Sequence, residues 1–70
     1  MKNVQVSAEE IYDYIQNVEG LYLDCENVST FSQAWGLANL ALECYKADCP
    51  SHVLPDENDV ADFIISQQED

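Results

Sequence analysis

Thr30-Phe31-Ser32-Gln33-Ala34-Trp35-Gly36-Leu37-Ala38-Asn39-Leu40-Ala41-Leu42-Glu43-Cys44-Tyr45-Lys46-Ala47 is the stretch that decides the fold. Thr30 followed three residues later by Gln33 is the signature of a capping box, in which each side chain satisfies a free N–H of the first helical turn. Phe31, Ala34, Trp35, Leu37, Ala38, Ala41, Leu42, Cys44 and Tyr45 then recur at helical spacing. They cover about half the circumference and leave Ser32, Gly36, Asn39, Glu43 and Lys46 as a narrow polar stripe. An arc this broad belongs to a central helix packed by neighbours on two sides. Pro50 forces Cys49 out of helical geometry and ends the helix.

Upstream, the spacing predicts a first helix over residues 8 to 19. Ser7 is placed to cap it, Glu10 to close a capping box, and Val6 to pack onto Ile11. Ala8, Ile11, Ile15 and Val18 form its apolar stripe, with Glu9, Asp13 and Gln16 opposite. Gly20 is expected to terminate it in the left-handed region. Leu21-Tyr22-Leu23 alternates like a short extended piece, as do Val4 and Val6, so a minimal strand pair near the N-terminus is allowed. Two strands alone are marginal in water and would decorate the fold without defining it.

Downstream, Ser51-His52-Val53-Leu54-Pro55 reads as a loop, and a third helix is expected over residues 56 to 68. Asp56, Glu57 and Asp59 crowd its start, where the helix dipole favours negative charge. Val60, Ala61, Phe63, Ile64 and Ile65 give it an apolar side wide for a terminal helix. The expected architecture is therefore mainly α, a small three-helix domain over residues 1–70 with the second helix central.

Seventy residues allow one domain. A chain of this size buries only about 60% of the surface its unfolded form exposes. Its 47% hydrophobic content nonetheless separates it from disordered acidic tails. No run approaches the ~18 apolar residues of a membrane span, and Met1-Lys2-Asn3-Val4-Gln5-Val6 lacks the apolar core of a signal peptide. A cytoplasmic location follows as the expectation. An odd set of three cysteines fits it, since reducing compartments keep thiols free. Cys25, Cys44 and Cys49 read as small space-filling residues.

Fourteen acids face two lysines and no arginine, for a net charge of −12. Such a field repels phosphate backbones, so direct nucleic-acid binding is not expected; basic surfaces would be attracted and their association accelerated. The charge is also segregated. Residues 1–26 carry −5, residues 27–50 only −1, and residues 51–70 carry −6. Glu9 and Asp13 stand one helical turn apart with Glu10 alongside, and Asp59 and Asp62 repeat the pattern. Like charges at this spacing cost a few tenths of a kcal/mol per pair, and a chain that needed only solubility would intersperse lysines. Tyr12 and Tyr14 fall at the edges of the first helix's stripe, the position of rim aromatics in interfaces and, more commonly, of residues capping their own core.

Catalytic chemistry finds no support. A carboxylate pair for acid–base work needs one member buried, and these acids fall on polar faces, in loops or at helix ends. A cysteine nucleophile with His52 as base would need an orienting group and a pocket. Two glycines make no phosphate loop. Cys44, Cys49 and His52, with Cys25 or Asp48, have ligand chemistry but not the tight two-cysteine knuckle of structural zinc. No cofactor or metal is expected.

In size and charge the chain resembles the small inhibitors that phages and mobile elements encode, among them DNA-mimicking anti-restriction and anti-CRISPR proteins. That resemblance implies a regulator that occupies the basic surface of a nucleic-acid-handling protein. The contact residues would be Glu9, Glu10, Tyr12, Asp13, Asp56, Glu57, Asp59 and Asp62. The alternative is a helical adaptor or homodimer that uses Phe63, Ile64 and Ile65 of the third helix, with the acids serving only solubility.

Overall fold

A computed structural model of the chain describes residues 4–68. Met1 to Asn3, the first half of the segment read against a signal peptide, and the acids Glu69 and Asp70 lie outside the described residues. Four helices follow one another: α1 (Ala8–Gln16), α2 (Glu19–Glu26), α3 (Phe31–Asp48) and α4 (Glu57–Gln68). The mainly α class is as expected; the number of helices is one more than the sequence suggests.

α3 begins where its capping residues place it. The Thr30 hydroxyl accepts from the Gln33 N–H at 3.2 Å, and the Gln33 side-chain oxygen accepts from the Thr30 N–H at 3.1 Å. Its end falls at Asp48, with Cys49 at φ −133°, ψ 71° before Pro50. α1 has half of its expected cap: the Ser7 hydroxyl accepts from the Glu10 N–H at 3.3 Å.

Two expectations around α1 are corrected. Gly20 does not end it; Asn17 does, after Gln16, and Gly20 is the second residue of α2 with an ordinary negative φ. Leu21, Tyr22 and Leu23 are helical and not extended. The cause lies in packing. In one continuous helix, residues 16 and 25 would be about 13.5 Å apart along the axis. Here the Gln16 amide nitrogen stands 3.7 Å from the Cys25 sulfur. The break at Asn17–Val18 therefore turns α2 back so that Leu21 and Cys25 are buried against the same core as Ile11 and Ile15.

The N-terminal segment also pairs differently. Its partner is the loop before α4: the Val6 N–H donates to the Val53 carbonyl at 2.9 Å and the Val53 N–H to the Val4 carbonyl at 2.8 Å, a parallel bridge between Gln5 and Val53. This bridge sets the chain side by side just before α1 and just before α4.

α3 packs on all three other helices, as does α1. Ala34, Ala38 and Ala41 of α3 and Ala61 of α4 are fully buried, and small residues at these positions let helix axes approach closely. The core around them holds Val6, Ile11, Ile15, Leu21, Cys25, Leu37, Val60 and Ile64. Among the described residues no polar or charged residue is buried as a whole.

Candidate interaction surface

α1 and α4 run in the same sense. The parallel bridge aligns their starts, the rings of Tyr12 and Phe63 meet edge-on at 5.4 Å in their middles, and Gln16 and Gln68 both reach the Cys25 sulfur near their ends, at 3.7 and 3.8 Å. Two consequences follow for the carboxylates. Glu9 and Glu10, in the first turn of α1, lie at the same end of the helix pair as Asp56, Glu57 and Asp59 at the start of α4. One turn further on, Asp13 follows Tyr12 and Asp62 precedes Phe63, so the aromatic contact joins the two acidic rows.

Glu9, Glu10, Asp13, Asp56, Asp59 and Asp62 are exposed and Glu57 is half-buried. Neither α1 nor α4 contains a lysine. At both helix starts the carboxylates sit where free N–H groups and the dipole present partial positive charge, which favours them locally. Nothing basic within either helix offsets the rest of their field.

Tyr12 and Tyr14 are both half-buried and pack on this chain. Tyr12 lies against Phe63 and beside Cys25, and burial, then the neighbouring thiol, raises its phenol above the usual value. Tyr14 meets Tyr45 edge-on at 5.1 Å and donates to Asp48. Tyr12 caps the chain's own core and offers a partner only part of its ring, while Tyr14 packs on Tyr45 at the core's edge.

The apolar side of α4 is largely consumed internally. Ile64 is fully buried, Ile65 packs against the core, and Phe63 leans on Tyr12. Exposed apolar side chains lie instead on α2 and α3: Leu23 is 58% exposed, Leu40 48%, Phe31 45% and Trp35 37%. Sequence reading missed this surface. Its signal is Leu40, which falls outside the apolar arc of α3 and breaks its polar stripe.

Cys44, Cys49 and His52 do not converge as ligands: among the described residues no group of three His, Cys, Asp or Glu side chains is placed to hold a metal ion. The His52 ring instead meets Tyr45 edge-on at 5.8 Å. No described helix is long and apolar enough to cross a membrane. No protein family, characterised protein or solved structure matches the chain.

Proposed function

We propose that this protein inhibits or regulates a nucleic-acid-handling protein by laying the carboxylates of α1 and α4 on its Lys/Arg surface. The observation that carries the reading is the parallel course of the two helices. It brings two acidic first turns to one end of the molecule, and a second tier of acids follows beside the Tyr12–Phe63 contact. A rigid pair of negative rows on helical supports is the kind of surface that competes with a phosphate backbone for cationic side chains. Binding needs no cofactor, and the bound protein excludes the nucleic acid by occupying its place. The resemblance in size and charge to phage-encoded anti-restriction and anti-CRISPR inhibitors is in keeping with the same class of binding inhibitor.

The test is capture of partners from a host lysate on the immobilised protein, followed by competition with labelled duplex DNA. Retained proteins are expected to bind nucleic acid and to release the duplex as the acidic protein is added. Affinity is expected to fall steeply between about 50 and 500 mM salt, as the screening length shortens from ~14 to ~4 Å. Salt-insensitive binding, or partners that hold their duplex undisturbed, would rule the mechanism out.

A further inference from the structure

α2 and the start of α3 enclose an open groove of about 370 Å³ on the molecule, lined by Asp24, Val28, Ser32, Gly36, Leu37 and Leu40 among others. Its floor is apolar: Val28 and Leu37 belong to the core and are only 7% and 6% exposed. Leu40, nearly half exposed, forms its far wall. These residues lie outside the acidic surface of α1 and α4. We propose that this groove receives an amphipathic helix of a partner protein, one whose apolar face is flanked by lysine or arginine.

Gly36 makes the case for close approach from outside. It sits well inside an 18-residue helix, where glycine is the poorest choice after proline. Its φ is ordinary, and a Cβ built on it would meet nothing within 4 Å. Nothing inside the fold requires the missing side chain. What its absence changes is how near an external group can come to the α3 backbone. Ser32, Gly36 and Leu40 are spaced by four, so they form one row along α3 about 12 Å long. A second helix packs its own ridge beside such a row, and the glycine notch shortens the distance between axes.

The groove's charge selects the occupant. Asp24 lines it, exposed Glu43 follows Leu40 by three positions, and among the described residues no basic one lines it. A second copy of this chain would bring fourteen acids and only two lysines against that surface, so self-association is opposed at long range. Nucleic acid is repelled for the same reason. A small-molecule site would need fixed polar groups to orient its ligand, and the polar side chains that line this groove, Asp24, Asn27, Ser32 and Gln33, are all exposed. A helix with an apolar stripe and cationic flanks satisfies both the floor and the rim.

The experiment is selection from a displayed library of amphipathic helical peptides in which stripe and flank residues vary. Synthesised winners are then titrated into the isotope-labelled protein. Selected peptides are expected to carry Lys/Arg flanks and to shift the amides of Val28, Ser32, Gly36 and Leu40. Gly36→Leu should weaken them about tenfold or more while melting no lower than the parent. Glu9→Lys with Asp59→Lys should leave their affinity within about twofold, which separates this site from the carboxylate surface of α1 and α4. Four results would overturn the proposal: no peptide selected, acidic or neutral flanks among the winners, shifts confined to α1 and α4 with indifference to Gly36→Leu, or a sedimenting dimer that Gly36→Leu dissociates.

Discussion

The Tyr14 hydroxyl donates a 2.9 Å hydrogen bond to Oδ2 of Asp48, tying the second half of α1 to the last residue of α3. An aspartate at that position faces the negative end of the helix dipole; the phenol supplies a donor where the helix has none left to give. Burial, and then this hydrogen bond, push the Tyr14 phenol up to about 12. The unfolded phenol ionises near 10, so the fold favours the neutral form. The resulting stability is complete below about pH 10 and is lost as the pH rises through about 12. An ultraviolet titration should show a late phenol phase that Tyr14→Phe removes. The same substitution should cost ~0.5–1.5 kcal/mol near neutral pH, read by denaturant unfolding.

Cys25 is held differently from its two counterparts. It is buried, receives the side-chain amides of Gln16 and Gln68, and has its thiol raised chiefly by burial. Thiolate is the reactive form, so a water-soluble thiol reagent should modify Cys44 and Cys49, both half-buried, well before Cys25. Denaturant should abolish the difference. Equal rates in the native protein would show that α1, α2 and α4 do not close over Cys25 as described.

The contact between Gln16 and Cys25 also explains what the sequence conceals. The apolar stripe of Ala8, Ile11 and Ile15 runs on in phase to Val18, so local pattern alone carries the first helix past Asn17 and assigns the stop to Gly20. The break at Asn17 is dictated by a core that a straight helix would overrun, and that is tertiary information. The pairing of Val6 with Val53 is hidden for the same reason, because its partner lies in a distant loop. By contrast α3 is legible from end to end, since Thr30, Gln33 and Pro50 act through neighbours in sequence. For the candidate surface, the segregation of acids is visible in the residue order. The common direction of α1 and α4 is not, and neither is the exposure of Phe31 and Trp35, because periodicity fixes a helix's apolar arc but not how much of it neighbours cover.

Gly20 and Gly36 both sit in helices, both are exposed, and a Cβ at either meets nothing within 4 Å. Alanine should therefore stabilise at each position by ~0.5–1 kcal/mol. The two gains should add, because the sites lie on different helices. Urea midpoints of the single and double variants give the comparison. A loss of stability at Gly36 would mean that the α3 backbone there is not free on its outer side.

His52 Nδ1 is buried with no hydrogen-bond partner among the described residues, while its ring rests edge-on against Tyr45. An unmade bond of this kind carries a desolvation cost of ~1–3 kcal/mol. His52→Phe keeps the aromatic contact and removes the unpaired nitrogen, so thermal unfolding should occur at the same temperature or higher. His52→Ala removes both and should lower it.

Charge reversal separates a working acidic surface from a coat that merely keeps the protein in solution. Glu9 and Asp13 stand one turn apart on α1, and Asp59 and Asp62 lie three apart on α4, all exposed. Converting one member of each pair, as in Asp13→Lys with Asp62→Lys, replaces like-charge repulsion by i,i+4 or i,i+3 attraction. Each pair should then gain a few tenths of a kcal/mol in stability. These substitutions lie past the first turns, so neither helix start loses a carboxylate that its dipole favours. If the carboxylates bind a cationic surface, the more stable double variant should bind its partner at least about tenfold more weakly. Most of that change should appear in the association rate at low salt. A variant that gains stability and keeps both affinity and association rate would reduce the α1 and α4 acids to solvated side chains. Because stability and binding are expected to move in opposite directions, unfolding cannot be mistaken for loss of the contact.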